Sequence, residues 1–352
     1  VAVGSSALTS DTKGSKNTAV GHSALEAQNF TTSTSSYNTA IGSDSGKAIT
    51  TGVQNTIIGS SAGDALTDAD YNVAVGKGSL TTDTMGSQTT AIGFEALATQ
   101  NFTTATNSRN VAIGYQAGKA TSNGTDNTFI GHQAALANTT GYYNTAVGKA
   151  ALSANLSGIN NTALGYLAGT AVTTGEQNTL IGALAGDALT DADYNTAVGQ
   201  DALHTDTLGS RSVAIGRRSL YTQNFTTATD NYNVGVGFNA GYSVTTGVQN
   251  TFVGGLAGDG TDDGANNTAV GYAALNANCG DANTAVGEQA LGRCTGSAST
   301  AVGKHAGEYN TSGSNNLFLG NDTGISGSPG GQITTASNAI FLGDENISAA
   351  NI

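Results

Sequence analysis

Aspartates recur in this sequence at a spacing that could support metal binding. Asp64, Asp68 and Asp70 reappear 123 residues later as Asp187, Asp191 and Asp193. Carboxylates in loops can bind Ca²⁺ where several oxygens converge on one point. Their spacing matches neither an EF-hand nor a glycine-rich calcium-binding repeat. We therefore predict a solvated acidic rim and keep a calcium site as the alternative.

Cys279 and Cys294 are the two cysteines of the chain. They occupy nearly the same phase of consecutive repeats, eight and seven residues after the repeat glycine described below. Neighbours stacked about 5 Å apart would suit disulfide geometry, and an extracellular protein permits a bridge. Two free thiols are the alternative.

The histidines suggest no catalysis. His22 and His132 each follow a repeat glycine, at a turn, and no motif places a nucleophile or a carboxylate pair beside them. General acid–base or metal chemistry needs such partners. We predict a protein that is not an enzyme, with no catalytic residue and no bound cofactor.

A short repeat positions all of these residues. The motif Asn17-Thr18-Ala19-Val20-Gly21 recurs in 20 copies from Gly4 to Gly343. Most steps are 17 residues, three are 21, two are 16 and the last is 23. A short period over a whole chain is typical of a solenoid. The sequence therefore predicts an all-β parallel β-solenoid (β-roll) of about 20 short coils, where a coil is one turn of the solenoid.

The repeat is regular over residues 1–303, and residues 304–352 diverge from it. We interpret the divergent part as C-terminal coils that lead toward a further domain. The chain begins in mid-repeat without Met, so we expect it to belong to a longer protein.

Strand alternation separates two faces of each repeat. Neighbouring strand residues point to opposite sides, so the aliphatic residue before the glycine shares a face with Thr, and Ala shares the other with Asn. Both faces carry apolar residues, which indicates burial on both sides. We expect Val, Ile and Leu to fill the coil and Ala to face outward. The alanines would then form the interface of a homotrimer: Ala19, Ala40, Ala74, Ala91, Ala146 and Ala197.

The three 21-residue steps share an insert, Gln-Asn-Phe-Thr-Thr, which contains Phe30, Phe102 and Phe225. The extra residues must bulge outward. The three aromatics are either receptor contacts on the surface or covers folded back over a widened coil.

Composition excludes several partners. The net charge is −13, and no run of basic residues is present. Nucleic acids and anionic membranes both require clustered Lys or Arg. No apolar run is long enough to cross a bilayer, so we predict neither nucleic-acid binding nor membrane insertion.

Two family resemblances follow from the motifs. Arg211-Ser212-Val213-Ala214-Ile215-Gly216-Arg217-Arg218-Ser219 resembles the head repeat of YadA-type trimeric autotransporter adhesins, whose steps are shorter. The Asn-Thr-Ala-Val/Ile-Gly repeat is more similar to tail fibres of marine and cyanobacterial phages. The stretch from Ser337 to Ile347 resembles the segment that leads there into an intramolecular chaperone domain.

These resemblances imply a homotrimeric attachment fibre, left-handed and either intertwined or side by side, on a virion or another extracellular surface. Its partners would be its own copies and a host-cell receptor, with a glycan as one candidate. An autotransporter head is the first alternative. An ice-binding solenoid is a more remote one, because the Thr column is expected inside the coil. A glycan-degrading tailspike lacks a carboxylate pair to support it.

Overall fold

The computed structural model describes residues 1–328 and 331–344. The last residues of the C-terminal motif, from position 345 onward, lie outside this description. Within it the protein is all-β, with no helix, and forms a parallel β-solenoid of about 19 turns. The prediction of the solenoid fold is confirmed. The chain forms two compact units, Val1–Gln177 and Asn178–Ile352.

Unit 1 contains strands of two or three residues. They are β1 Ala2–Val3, β2 Gly14–Ser15, β3 Thr18–Val20, β4 Thr34–Ser35, β5 Thr39–Ile41, β6 Thr56–Ile58, β7 Val73–Val75, β8 Gly86–Ser87, β9 Thr90–Ile92, β10 Thr106–Asn107, β11 Val111–Ile113, β12 Thr128–Ile130, β13 Thr145–Val147 and β14 Thr162–Leu164.

Unit 2 repeats the pattern. Its strands are β15 Thr179–Ile181, β16 Thr196–Val198, β17 Gly209–Ser210, β18 Val213–Ile215, β19 Thr229–Asp230, β20 Val234–Val236, β21 Thr251–Val253, β22 Thr268–Val270, β23 Thr284–Val286, β24 Thr300–Val302, β25 Leu317–Leu319 and β26 Ile340–Leu342.

The main strands of each unit pair in parallel with the repeat in register. Thr128, Phe129 and Ile130 of β12 lie beside Thr145, Ala146 and Val147 of β13, for example. The divergent C-terminal coils keep this register, since β24 pairs with β25 and β25 with β26. Three short parallel pairs, β2–β4, β8–β10 and β17–β19, occur where a 21-residue coil follows a 17-residue coil.

The sequence argument assigned the inner and outer faces of the strands the wrong way round. From β3 to β25 the middle residue of every main strand is buried, while both flanking residues are at least partly exposed. The alanines proposed as a trimer interface are fully buried inside the coil of a single chain: Ala19, Ala40, Ala74, Ala91, Ala146 and Ala197. That interface prediction is wrong, because a side chain with no exposed surface cannot contact another copy. The grouping of Ala with Asn and of Thr with Val is correct.

The coil interior is narrow, and this explains which residue points inward. Beside the small middle residue Ala146, Leu152 fills the coil from the following turn. Where the middle residue is large, the preceding coil has a glycine at this turn position, and a Cβ on Gly241 would lie 2.8 Å from the Phe252 ring. The two positions therefore share one fixed volume, as close packing requires.

A ladder of buried asparagines runs beside this core. The Oδ1 atom of Asn127 accepts the backbone N–H of Asn144 in the next coil (2.9 Å), and Asn144 does the same for Asn161. The Nδ2 atom of Asn144 donates to the carbonyl of Gly158 (2.7 Å). This ladder lies inside the coil, because Asn127, Asn144 and Asn161 are buried.

The repeat glycine ends each strand in a conformation that other residues rarely adopt. Gly254 has φ +139°, and a Cβ there would lie 2.5 Å from the carbonyl oxygen of Gly271 in the next coil. A side chain at this position would meet both backbone strain and a backbone clash.

We predict that Gly254→Ala destabilises unit 2 by about 2 kcal/mol or more. Gly255→Ala is the matched control, because the nearest atoms to its Cβ are ring atoms of Tyr272 at 3.6 Å and beyond. Thermal melting and hydrogen exchange of β21 and β22 measure the effect. Equal melting curves for both variants would contradict this account of the glycine.

Candidate interaction surface

The outer strand face is defined here as the two outward columns of the main strands. One column holds the first strand residue, Thr in most coils and otherwise aliphatic, and the other holds the Val, Ile or Leu before the glycine. Neither column contains a charged residue. Its aliphatic side chains are partly exposed, up to 45% for Leu164 and 42% for Val302. Each unit therefore presents a regular apolar surface to its surroundings.

Aromatic and basic side chains form one margin of this face, at the position after the repeat glycine. In unit 1 the rings of Phe94, Tyr115 and His132 stack in sequence, with centroids 5.3 and 5.1 Å apart. Lys149 follows, with its ammonium 5.6 Å from the ring centre of Tyr166. The stack places ring faces against each other, so ring edges point outward.

The other margin lies five residues before the glycine. In unit 2 the Arg211 guanidinium lies between two exposed tyrosines, 4.7 Å from the ring centre of Tyr194 and 5.8 Å from that of Tyr232. In unit 1 Lys16 donates to the Tyr37 hydroxyl (2.7 Å), and this bond lowers the pKa of Tyr37. Cation–π contacts of this kind contribute about 0.5–1 kcal/mol at exposed sites.

The insert aromatics do not lie on the surface. Phe30, Phe102 and Phe225 are 6%, 7% and 6% exposed. Their burial favours the alternative in which they fold back over the coil, and it disfavours a role as receptor contacts.

The structure does not assemble the predicted calcium ligands into one site. Asp64 accepts the hydroxyl of Thr81 (2.5 Å), and Asp68 accepts that of Thr51 (2.6 Å). Asp70 accepts the backbone N–H of Val53 (2.7 Å). In residues 1–328 and 331–344, no three or more His, Cys, Asp or Glu side chains form a group able to hold a metal ion.

The equivalent aspartates among the described residues of unit 2 also belong to no cluster of side chains able to hold a metal ion. Asp187 pairs with His204, whose Nδ1 atom is 2.6 Å from the carboxylate. Burial raises the pKa of Asp187, and the imidazole opposes that rise. Asp191 and Asp193 each interact with other residues of the chain. His204 continues into a stack with Tyr221 and Tyr242 on the turn side of the coils.

The two cysteines are buried free thiols. The sulfur of Cys279 lies 3.2 Å from the Thr261 hydroxyl, and that of Cys294 points to the carbonyl of Gly296 at 3.8 Å. The bridge suggested by their phase is not formed. Burial raises the pKa of Cys279 and raises that of Cys294 to about 11.

No protein-family model matches the chain, and a comparison with curated proteins finds no match. The described residues also contain no helix with the length and apolarity needed to cross a membrane.

The sequence argument missed the outer strand face and both of its margins. The sequence does contain one signal that distinguishes the inner from the outer column. The column before the glycine is always β-branched or Leu, whereas the Ala column ranges from Gly to Phe, and each large residue in it follows a coil that has glycine at the turn position of Gly241. Covariation in volume is the signature of a shared interior.

We predict that neither thiol reacts with a thiol reagent in the native protein at pH 8, because each is buried and protonated. Both should react after denaturation without added reductant. A colorimetric thiol titration counts them, and the chain has no other cysteine. A count of zero in denaturant would mean that the two cysteines are bridged.

Proposed function

We propose that this chain is a structural and adhesive fibre protein that acts as a homotrimer, with a phage tail fibre as the leading assignment. The observation that supports the proposal most directly is the uncharged outer strand face. A regular apolar surface of this extent on a soluble protein marks an interaction site.

A second copy of the chain is the occupant that fits this face best. The face repeats at about 4.8 Å per coil, and a partner with the same period contacts every coil alike. The chain carries a net charge of −13, and both outward columns are free of charge. Copies that repel one another elsewhere can approach along these columns.

The area of the face also bears on this proposal. Ten main strands per unit, each about 10 Å long and spaced about 4.8 Å apart, give about 500 Å² of strand face in each unit. One unit alone therefore offers more than half of the roughly 800 Å² that one partner contributes to a standard interface. In a cyclic trimer each chain would contact both others.

The fibre assignment rests on the repeat resemblance together with this surface. A trimer presents each weak surface contact three times, so avidity replaces affinity at any one site. The partner would be a host-cell receptor, with a glycan as one candidate class, and the location would be a virion or another extracellular surface. An autotransporter adhesin head would use the same surface and remains the alternative. In either assignment the role is binding and not catalysis.

We predict that the protein has three times its 34.8 kDa chain mass in solution, measured by sedimentation equilibrium. Val270→Lys places an ammonium on the outer strand face and should weaken association at least about tenfold. Asn276→Lys adds the same charge on the turn side and is the control. A monomer at all concentrations, or equal association of both variants, would sink the trimer proposal.

The outward threonine column supports ice binding as a second candidate function. The sequence argument against it placed these threonines inside the coil, and that placement is wrong. Thr128, Thr145 and Thr162 lie partly exposed in one column of unit 1, with their hydroxyls and methyls at the spacing of the coils. A trimer would cover this column, so the two functions require different states of association.

Thermal hysteresis of the freezing point tests the ice-binding candidate. If it is correct, the active species is a monomer, and Thr145→Lys removes most of the activity while Ser153→Lys on the turn side does not. Absence of hysteresis at millimolar protein would exclude it.

A further inference from the structure

The three 21-residue coils are coupled to the coils that precede them. The insert coils, residues 22–42, 94–114 and 217–237, each follow a coil that contains Asp-Thr-x-Gly-Ser. That motif begins at Asp11, Asp83 and Asp206 and occurs nowhere else in the sequence. The insert glutamines, Gln28, Gln100 and Gln223, lie 17 residues after these aspartates.

The structure shows a direct contact between the two motifs. In unit 2 the Oδ1 atom of Asp206 accepts the backbone N–H groups of Gly209 (3.1 Å) and Phe225 (3.0 Å). Its Oδ2 atom accepts the side-chain amide of Gln223 (2.5 Å). The carboxylate therefore binds its own loop and the insert of the next coil at once.

Gln223 extends the contact to the asparagine ladder. Its Oε1 atom accepts the Nδ2 group of Asn233 (2.9 Å), and Asn233 accepts the backbone N–H of Asn250 (2.9 Å). The side-chain nitrogen of Gln223 thus donates to an acceptor, and its side-chain oxygen accepts from a donor. The chain of contacts runs from one coil through the insert into the buried ladder.

Unit 1 holds the same arrangement at its second insert and shares the Asp–Gln–Asn contacts at its first. The Asp83 carboxylate accepts hydrogen bonds from the backbone N–H groups of Gly86 (3.1 Å) and Phe102 (2.9 Å) and from the side-chain amide of Gln100 (2.6 Å). The side chain of Asn110 donates to the side-chain oxygen of Gln100 (2.8 Å). At the first insert, Asp11 accepts Gly14 and Gln28, and Asn38 donates to Gln28.

Asp83 and Asp206 have no exposed surface. Burial raises the pKa of Asp206, and the bonds from Gln223 and the backbone oppose that rise. A buried carboxylate without donors would be costly. The insert supplies two of the three donor groups described above, so the aspartate is suited to a coil that is followed by an insert.

We propose that the Asp-Thr-x-Gly coil and the Gln-Asn-Phe coil form a two-coil latch. The aspartate fixes where four extra residues enter the solenoid and draws the insert phenylalanine inward. A coil of either kind is then adapted to its partner and not to an ordinary 17-residue coil. A simpler role, in which the aspartate serves only its own turn at Gly209, would not involve Gln223.

A reciprocal exchange of amide and carboxylate tests the latch. Asp206→Asn places an NH₂ group against N–H donors in either orientation of the new side chain: against the Gln223 amide in one, and against the backbone N–H groups of Gly209 and Phe225 in the other. Gln223→Glu places a second carboxylate against that of Asp206. The double variant D206N/Q223E restores one donor facing one acceptor and leaves the net charge unchanged. Its new carboxylate can still accept Asn233.

Hydrogen exchange of peptides spanning 220–230 reports on the latch locally, and chymotryptic cleavage after Phe225 reports on release of the ring. Each single variant should raise the hydrogen-exchange rate of the Phe225 amide at least about tenfold. The double variant should restore most of the lost protection. The latch at Asp83 in the same molecule is the internal control, and its exchange should not change.

Asn224→Ala, at the exposed neighbour of Gln223, is a matched control for substitution within the insert. Should a single variant prevent folding, Gln223→Ala provides a milder break of the same contact. An Asp206→Asn effect that persists in full in the double variant would overturn the latch. So would normal protection of Phe225 in Gln223→Ala.

Discussion

The narrow interior of the coil is the constraint on which the other features depend. A turn of about 17 residues encloses little space, and a buried asparagine already occupies part of it in most coils. The asparagine is retained because the adjacent coil supplies both a backbone donor and a backbone acceptor, so that no buried polar group is left unpaired. What remains fits a leucine from the turn, or a large strand residue where the turn of the preceding coil has glycine. The β-branched residues that favour strands are therefore placed outside.

This constraint explains both the success and the failure of the sequence argument. The period, the parallel register, the glycine positions and the pairing of columns follow from the repeat alone. Which column faces inward does not, because alternation defines two faces without ranking them. Ranking by hydrophobicity placed Val20 inside and Asn17 outside. The hydrogen bonds that reverse the order belong to the neighbouring coil, and a single repeat does not reveal them.

The insert phenylalanines show a second limit of prediction from the sequence. Four added residues suggest a bulge, and an aromatic in a bulge suggests a contact with another molecule. Phe225 is instead held inward through a carboxylate 19 residues earlier in the chain. The pairing of Asp-Thr-x-Gly with Gln-Asn-Phe can be recognised in the sequence once it is sought. The geometry that gives it meaning is visible only when the coils are stacked.

The latch also bears on how such a chain can lengthen. Ordinary coils present nearly the same lower and upper surfaces, so a gene can gain or lose them singly without creating a new contact. A latched pair lacks this freedom, because either half alone would leave a buried carboxylate or a glutamine without its partner. The offset of 123 residues that relates Asp83 to Asp206 also relates Gln100 to Gln223, so both halves are present in each copy. A duplication that includes a 21-residue step therefore has to carry both coils of the pair.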